Sequence, residues 1–164
     1  KKDKILCAKF RKGHFEGVID VMRRLTELIK PQKIFMGEKD FQQYLLVKKD
    51  LEKKNNLKVL SCKTIRHKNR IALSSRNLLL KKKELELAGK ISKNLIKFKK
   101  ELTNKKYVKK FLKLKRYELM RLYNVKIEYF ELRNKKNLRT SNLAKNSKLF
   151  ISYYINKIRL IDNY

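Results

Sequence analysis

The order of a strand, a helix and a second strand between residues 33 and 62 constrains the fold of this chain more than any other feature of its sequence. Residues 33–36 form a short apolar run that ends at Gly37, and residues 57–62 form another. The sequence between them has helical periodicity, and Asp40 stands where it can cap that helix. Strands joined by a helical crossover pair in parallel. The pattern therefore predicts part of a doubly wound, parallel α/β sheet.

A further helix is predicted before the first strand, and it ends at Pro31, the only proline of the chain. Over residues 17–30 apolar side chains recur at helical spacing, which predicts a single apolar face. The members of this face are Val18, Val21, Met22, Leu25, Leu28 and Ile29.

The second half of the chain changes from helical to strand periodicity. A helical stripe covers residues 85–102, and a second helix is predicted over residues 107–122, where Lys115 interrupts the stripe. Residues 126–133 and 148–162 are rich in Ile, Tyr, Phe and Leu, which favours strands. The stripe of the second helix consists of Val108, Phe111, Leu112, Leu119 and Leu122, and a hairpin turn fits at Asn156 and Lys157.

These patterns predict three consecutive parts. Residues 1–64 form part of an α/β nucleotide-binding domain, residues 65–77 form a connecting loop, and residues 78–164 form a small α+β domain with antiparallel strands.

The formal net charge of +31 first suggests a nucleic-acid partner, because lysines that neutralise phosphates release counterions. The lysines are spread over the whole chain, however, together with abundant Asn and Ile, as AT-rich coding would produce. Runs such as residues 81–83 lie between apolar helical positions rather than on one basic element. We therefore expect weak polyanion binding without a specific nucleic-acid partner, and a basic nucleic-acid-binding module stays an alternative function.

Cysteine, histidine and hydropathy narrow the class of protein further. Cys7 and Cys62 are far apart and outside any C-x-x-C pattern, and His14 and His67 have no partner at ligand spacing, so no metal site is predicted. No apolar run approaches the length of a membrane span, and the first residues do not resemble a signal peptide. We expect a soluble protein of a reducing cytoplasm.

A first candidate binding segment, Gly37-Glu38-Lys39-Asp40, stands where a strand ends and a helix begins. Open α/β sheets bind ligands there, and free backbone N–H groups face anions. Lys39 would add a positive charge for phosphate oxygens, and Asp40 could contact a ribose. The alternative is a plain strand-to-helix turn with a solvated lysine.

A second candidate segment, Leu73-Ser74-Ser75-Arg76-Asn77, combines two hydroxyls and a guanidinium in a loop before a helix. Such a loop could hold a polyphosphate and stabilise charge on a leaving group. A helix entry capped by Ser or Asn explains the same residues, and both interpretations remain open at this point.

Gln42 and Gln43 follow the first segment on the predicted helix, where we expect one to face a cleft and the other solvent. A neutral amide suits the hydroxyl or carboxylate of a hydroxy acid. Two surface glutamines are the alternative.

Five segments in order, spread over nearly the whole chain, are similar to the pantothenate synthetase family. They are LCAKFRKGHFEGV at residues 6–18, GEKDFQQ at 37–43, ALSSRN at 72–77, YFELR at 129–133 and RLIDN at 159–163. The resemblance implies a Rossmann-like nucleotidyltransferase domain followed by a small lid domain, usually in a homodimer. It implies that pantoate and ATP give pantoyl adenylate, with Mg²⁺ assisting, and that beta-alanine then displaces AMP.

The resemblance also assigns roles to matching positions. It implies a catalytic role for Lys39, Ser74, Ser75 and Arg76, and pantoate binding by Gln43. The residues that it places at the ATP site are Gly37, Glu38, Lys39, Asp40, Ile65, Leu73, Ser74, Ser75 and Arg76.

Two departures from the family pattern qualify these expectations. Arg70 stands where a glycine is usual, just before the Ser-Ser-Arg segment, and this could alter the loop or add charge for ATP. The family's first ATP signature, resembling H-x-G-H, has no counterpart in these 164 residues. We therefore expect the chain as it stands to be inactive, and a non-catalytic remnant is a second alternative.

Overall fold

The computed structural model describes residues 5–54, 56–104 and 107–164. The chain divides into two compact units, Lys1–Thr64 and Ile65–Tyr164.

Three helices and two strands make up the described part of the N-terminal unit. They are α1 (Leu6–Phe10), α2 (His14–Ile29), β1 (Lys33–Gly37), α3 (Phe41–Lys54) and β2 (Lys58–Cys62). The strands pair in parallel, with Ile34 opposite Val59, which confirms the predicted parallel arrangement.

Both ends of α2 have a backbone conformation that stops the helix. Gly13 precedes it with φ 74, a left-handed conformation that glycine adopts without a steric cost. Lys30 follows it with φ 50, and its N–H donates to the carbonyl of Thr26 at 2.9 Å. Pro31 then prevents continuation. The helix therefore begins three residues before the predicted range and ends where proline requires.

The core of the N-terminal unit is built by α2 and α3 together with the two strands. The buried cluster contains Val47, Leu51, Leu57 and Val59, and Val18, Ile19, Met22, Ile34, Met36 and Tyr44 pack against it. The prediction of the apolar face of α2 is wrong for four residues, since Val21, Leu25, Leu28 and Ile29 are exposed. The helix is turned so that its contact row contains Ile19 instead.

The C-terminal unit contains two long helices and a three-stranded sheet. The elements are α4 (Lys82–Glu101), α5 (Val108–Tyr123), β3 (Lys126–Asn134), β4 (Ser147–Ile155) and β5 (Ile158–Asn163). The strand order is β3-β4-β5 with antiparallel pairing, as predicted. Asn156, with φ 52, lies in the turn between β4 and β5, at the predicted hairpin.

The two helices pack against this sheet around one hydrophobic core, whose fully buried members include Ile91, Leu95, Phe98, Leu119, Leu132, Leu149 and Ile151. The predicted stripe of α5 is wrong at Leu122, which is 60% exposed. Lys115 is charged, but its side chain packs with the aromatic residues of the core. Its ammonium lies 4.4 Å from the centroid of the Phe98 ring and 5.7 Å from that of Phe111. A cation over aromatic faces is stabilised in such a position.

Among the residues that the structure describes, no helix is both long enough and apolar enough to cross a membrane.

Candidate functional site

The Gly37-Glu38-Lys39-Asp40 segment lies at the carboxyl end of β1. Glu38–Asp40 form one turn of 3-10 helix that continues directly into α3. Gly37 occupies the N-cap position of this continuous segment. The expectation that Asp40 caps the helix is therefore wrong, because the 3-10 turn extends the helical backbone back to the strand.

The carboxyl ends of both strands of the N-terminal unit meet beside this turn. Gly37 pairs with Cys62, and the Ser61 hydroxyl donates to the Glu38 carboxylate at 3.3 Å. Gly37 has φ −68, and a Cβ placed on it would meet no atom within 4 Å. Neither the backbone nor the packing within the described residues requires glycine there, so an open surface remains at the edge where α/β sheets bind ligands.

Gln42 and Gln43 differ in burial. Gln42 is buried, its Nε2 donates to the Ile5 carbonyl at 3.0 Å, and its Oε1 accepts from the Cys7 N–H at 3.1 Å. Gln42 therefore holds the start of α1, so it is not a solvent-facing residue. Gln43, for which the family resemblance implies pantoate binding, is half-buried.

In the C-terminal unit, residues 65–73 form a small antiparallel hairpin that leads into the second candidate segment. The Leu73 N–H donates to the Ile65 carbonyl at 3.0 Å, and the His67 N–H donates to the Ile71 carbonyl at 2.8 Å. Arg66 and Ala72 form a bridge between the two arms. Ile71 and Ala72 on the outgoing arm are buried, whereas Ile65 is 72% exposed.

Arg70 occupies the tip of this 65–73 hairpin with φ 78. Its N–H donates to the His67 carbonyl at 2.8 Å, which closes a tight turn. A non-glycine residue in this left-handed region carries a conformational cost of about 1–2 kcal/mol. The hairpin therefore keeps a backbone suited to glycine at the position where this sequence departs from the family pattern.

Within the second candidate segment, Ser74 is the N-cap of a 3-10 helix, Ser75–Leu79. Its hydroxyl accepts from the Arg76 N–H at 3.3 Å, and its carbonyl accepts from the Asn77 N–H at 3.0 Å. The Asn77 amide donates to the Ala72 carbonyl at 3.0 Å. Leu73 and Ser75 are exposed and Arg76 is half-buried. The helix-entry interpretation is thus confirmed for Ser74, and it leaves Ser75 and Arg76 at the surface.

Arg66 joins the hairpin to the last strand of the sheet. Its Nη1 and Nη2 donate to the two carboxylate oxygens of Asp162 at 2.8 and 2.9 Å. Nη1 also donates to the Arg70 carbonyl and Nη2 to the Asn163 carbonyl, both at 3.1 Å. Burial opposes the charge on Arg66, but the hydrogen bond and charge of Asp162 hold its pKa above the ordinary value.

Tyr164 completes this anchor. Its hydroxyl donates to Asp162 at 2.8 Å, and its ring centroid lies 4.4 Å from the guanidinium carbon of Arg66. Burial and the neighbouring charge of Asp162 raise the pKa of Tyr164 well above that of a free tyrosine. The hydroxyl therefore stays a hydrogen-bond donor at neutral pH.

The pairing of Arg66 with Asp162 was not predicted from the sequence, in which the two residues are 96 positions apart. The segment RLIDN contains Asp162, but neither periodicity nor local motif assigns that carboxylate a partner. The local signal is an acidic residue that directly follows an apolar run on a predicted strand, where a carboxylate is seldom buried without a partner.

The N-terminal unit also contains a cavity of about 880 Å³. Its lining includes Lys9, Arg11, Phe15, Asp20 and Leu46, and none of the residues predicted to bind ATP or pantoate contributes to it. Cavity size alone therefore does not identify the candidate site.

The described residues contain no group of three or more His, Cys, Asp and Glu side chains that could hold a metal ion.

Comparison with known proteins identifies relatives over the whole chain. The sequence model of the pantoate-beta-alanine ligase family matches residues 1–164. The pantothenate synthetase of Flavobacterium psychrophilum is 37% identical over 161 residues, which cover 94% of this chain and 56% of the relative. The chain thus spans slightly more than half the length of the curated relatives it matches.

Solved structures have the same fold. Pantothenate synthetase from Thermus thermophilus superposes with a TM-score of 0.90 at 26% identity, over 99% of this chain and 60% of that one. Pantoate-beta-alanine ligase from Francisella tularensis, complexed with beta-gamma ATP and beta-alanine, superposes with a TM-score of 0.75 at 29% identity, over 99% and 54% of the two chains.

Proposed function

This chain belongs to the pantoate-beta-alanine ligase family, and from that membership we propose that the protein catalyses the ATP-dependent condensation of pantoate with beta-alanine. One observation carries the proposal most directly. The family match extends over residues 1–164, and within it Gly37-Glu38-Lys39-Asp40 lies at the carboxyl edge of a parallel sheet. This edge is where open α/β sheets bind nucleotides.

The first chemical step forms an adenylate. A carboxylate oxygen of pantoate attacks the α-phosphorus of ATP, and the bond to the leaving pyrophosphate breaks. Negative charge builds on the transferring and leaving phosphates, so positive groups that face them lower the barrier. We assign Lys39 to the transferring phosphate and Arg76, with the hydroxyls of Ser74 and Ser75, to the pyrophosphate.

The conformation of the second segment supports this assignment. Ser75 is exposed and Arg76 is half-buried, while the backbone around them is held by Ser74 and Asn77. A backbone held in this way reduces the reorganisation that the Ser75 and Arg76 side chains need when charge develops. Ile65 and Leu73, exposed on the adjoining hairpin, would contact the nucleotide through apolar atoms.

In the second step the amine of beta-alanine attacks the acyl carbon of pantoyl adenylate, and AMP leaves with its bonding electrons. Gln43 is the residue proposed to bind pantoate, because an amide can both donate to its carboxylate and accept from its hydroxyl.

Magnesium enters this proposal only as part of the ATP complex. Mg²⁺ usually keeps several waters and is bound through substrate phosphates with few protein carboxylates. Nearby carboxylates are Glu38 and Asp40, of which Asp40 is exposed. For assembly we propose the homodimer that the family resemblance implies, which sedimentation of the natural full-length protein would measure.

The test is AMP formation from ATP, pantoate and beta-alanine by the natural full-length protein. Lys39→Ala and Arg76→Ala should each lower the rate at least about a hundredfold, the scale of losing one transition-state charge contact. Lys49→Ala on α3 and Arg121→Ala on α5 remove exposed residues of the same charge and serve as matched controls.

AMP release that depends on both acids and falls only in the first two variants would support the ligase. A folded protein that releases no such AMP would contradict the proposal. The non-catalytic remnant would then be favoured, or the nucleic-acid-binding module if one sequence is bound with a steep salt dependence.

A further inference from the structure

We propose that Arg66 is a positioning residue for the phosphate-binding residues 73–76, acting through its ion pair with Asp162. The inference rests on the proposed function, because it concerns the step in which pyrophosphate leaves. Arg66 is not assigned any contact with a substrate.

The carboxylate of Asp162 is a fixed point in the sheet. Asp162 is 6% exposed and lies near the end of β5, where it pairs with Ile151 of β4. Each of its oxygens accepts two hydrogen bonds, one from Arg66 and one from either Tyr164 or the Asn163 N–H. A carboxylate with all of these partners has little freedom to move.

Arg66 connects the Asp162 carboxylate, and with it the sheet, to the 65–73 hairpin. Its guanidinium bonds Asp162, the Asn163 carbonyl and the Arg70 carbonyl, so it connects β5 with the hairpin tip. The backbone of Arg66 pairs with Ala72, one residue before Leu73. The phosphate-binding residues thus begin immediately after a backbone position that is fixed to the sheet.

Only arginine can make this set of bonds at once. Its planar fork carries five N–H donors in fixed directions, whereas the lysine ammonium is a compact point charge. Lysine at position 66 could keep the charge near Asp162, but its three N–H donors could not make all four hydrogen bonds. We expect the hairpin to shift with a lysine while the unit stays folded.

A shift of the hairpin should affect the two half-reactions unequally. Pyrophosphate formation requires Ser74, Ser75 and Arg76 at the leaving group, and a displacement near 1 Å can cost about a hundredfold in rate. Attack of beta-alanine on preformed pantoyl adenylate involves no pyrophosphate. A residue that only supports folding would lower both rates together.

The experiment uses the natural full-length protein with Arg66→Lys and Asp162→Asn. We expect pyrophosphate formation from ATP and pantoate to fall about 10- to 100-fold in both variants. AMP release from supplied pantoyl adenylate and beta-alanine should be unchanged. Tyr164→Phe removes one hydrogen bond to Asp162 and should give a smaller loss in the first half-reaction only, which keeps the inference testable if a stronger variant does not fold.

The matched control is Arg159→Lys on the same strand. Arg159 pairs with Glu128 at 2.8 Å, and both side chains are about as buried as those of Arg66 and Asp162. This variant should leave the ratio of the two half-reactions at the wild-type value. Equal losses in both half-reactions for Arg66→Lys, or the same selective loss in Arg159→Lys, would overturn the inference. A wild-type protein silent in both half-reactions would contradict the proposed function itself.

Discussion

Replacing Gly89 by alanine should destabilise the C-terminal unit, although the same change stabilises most helices. Gly89 lies within α4, where alanine is favoured over glycine by about 1 kcal/mol. A Cβ at this position would stand 2.9 Å from each of three atoms of Asn69: Cβ, Cγ and Nδ2. That distance is too short for carbon–carbon contact, so one partner must move.

Asn69 cannot move without loss. Its Nδ2 donates to the Leu85 carbonyl at 3.0 Å, and its Oδ1 accepts from the Ile71 N–H at 3.2 Å. Overpacking a filled site costs about 1–3 kcal/mol, and each hydrogen bond that breaks costs about 1 kcal/mol. If one of these hydrogen bonds breaks and the helix gain is subtracted, Gly89→Ala should lower the free energy of unfolding by roughly 1–3 kcal/mol.

The assay is equilibrium urea unfolding followed by far-ultraviolet circular dichroism, in the wild type and in an Asn69→Gly background. Asn69→Gly deletes all three atoms that the new methyl group would meet. In that background Gly89→Ala should therefore raise the free energy of unfolding by up to about 1 kcal/mol. The sign of the effect reverses between the two backgrounds, which is a coupling measured by the double-mutant cycle.

If Gly89→Ala changed the free energy of unfolding by the same amount in both backgrounds, this reasoning would be refuted. A clash with Asn69 would then not be the reason that position 89 requires glycine. Stabilisation of the wild type by Gly89→Ala would refute it as well, since open space beside α4 gives that result.

Two other predictions concern the same unit. Arg70→Gly should raise the urea midpoint. Relief of the left-handed backbone strain is worth about 1–2 kcal/mol, whereas the extra entropy of glycine in the unfolded chain costs about 0.5–1 kcal/mol. Arg70→Ala keeps the strain, so it should give no such gain. For Glu128, burial alone would raise the pKa, but hydrogen bonds from Arg159, Tyr154 and Ser152 hold it below the ordinary value. Stability from this depressed carboxylate pKa is present above about pH 4.5 and is lost as pH falls through the lower folded value. Urea midpoints of the wild type should therefore decline more steeply below pH 4.5 than those of Glu128→Gln, and parallel curves would contradict this account.

The order of helices and strands was predictable because it depends on local spacing. Pro31 ended α2, and the parallel pairing of β1 and β2 followed from the helix between them. The buried side of a helix was less predictable, because Leu25 and Leu28 continue the helical periodicity of Val18 and Met22. Which row is buried depends on where α3 packs, and that contact is not encoded by the period of α2 alone.

In the candidate site, too, some residues could be predicted from local sequence and others could not. Gly37, Lys39, Ser75 and Arg76 belong to contiguous motifs, so the sequence could single them out, although their roles remain predictions. The bonds of Arg66 to Asp162 depend on bringing the two ends of the C-terminal unit together. No local pattern contains that information, and only the fold supplies it.

The exposed apolar row on α2, formed by Val21, Leu25 and Leu28, has a consequence for how the protein behaves in solution. At low ionic strength the net charge of +31 makes neighbouring molecules repel one another over tens of ångströms. At about 1 M salt the screening length falls to about 3 Å, while salting-out strengthens apolar attraction. Molecules can then associate through this apolar row. Ammonium sulfate should therefore precipitate the protein in spite of its high charge, and Leu25→Lys should raise the ammonium sulfate concentration that precipitation requires.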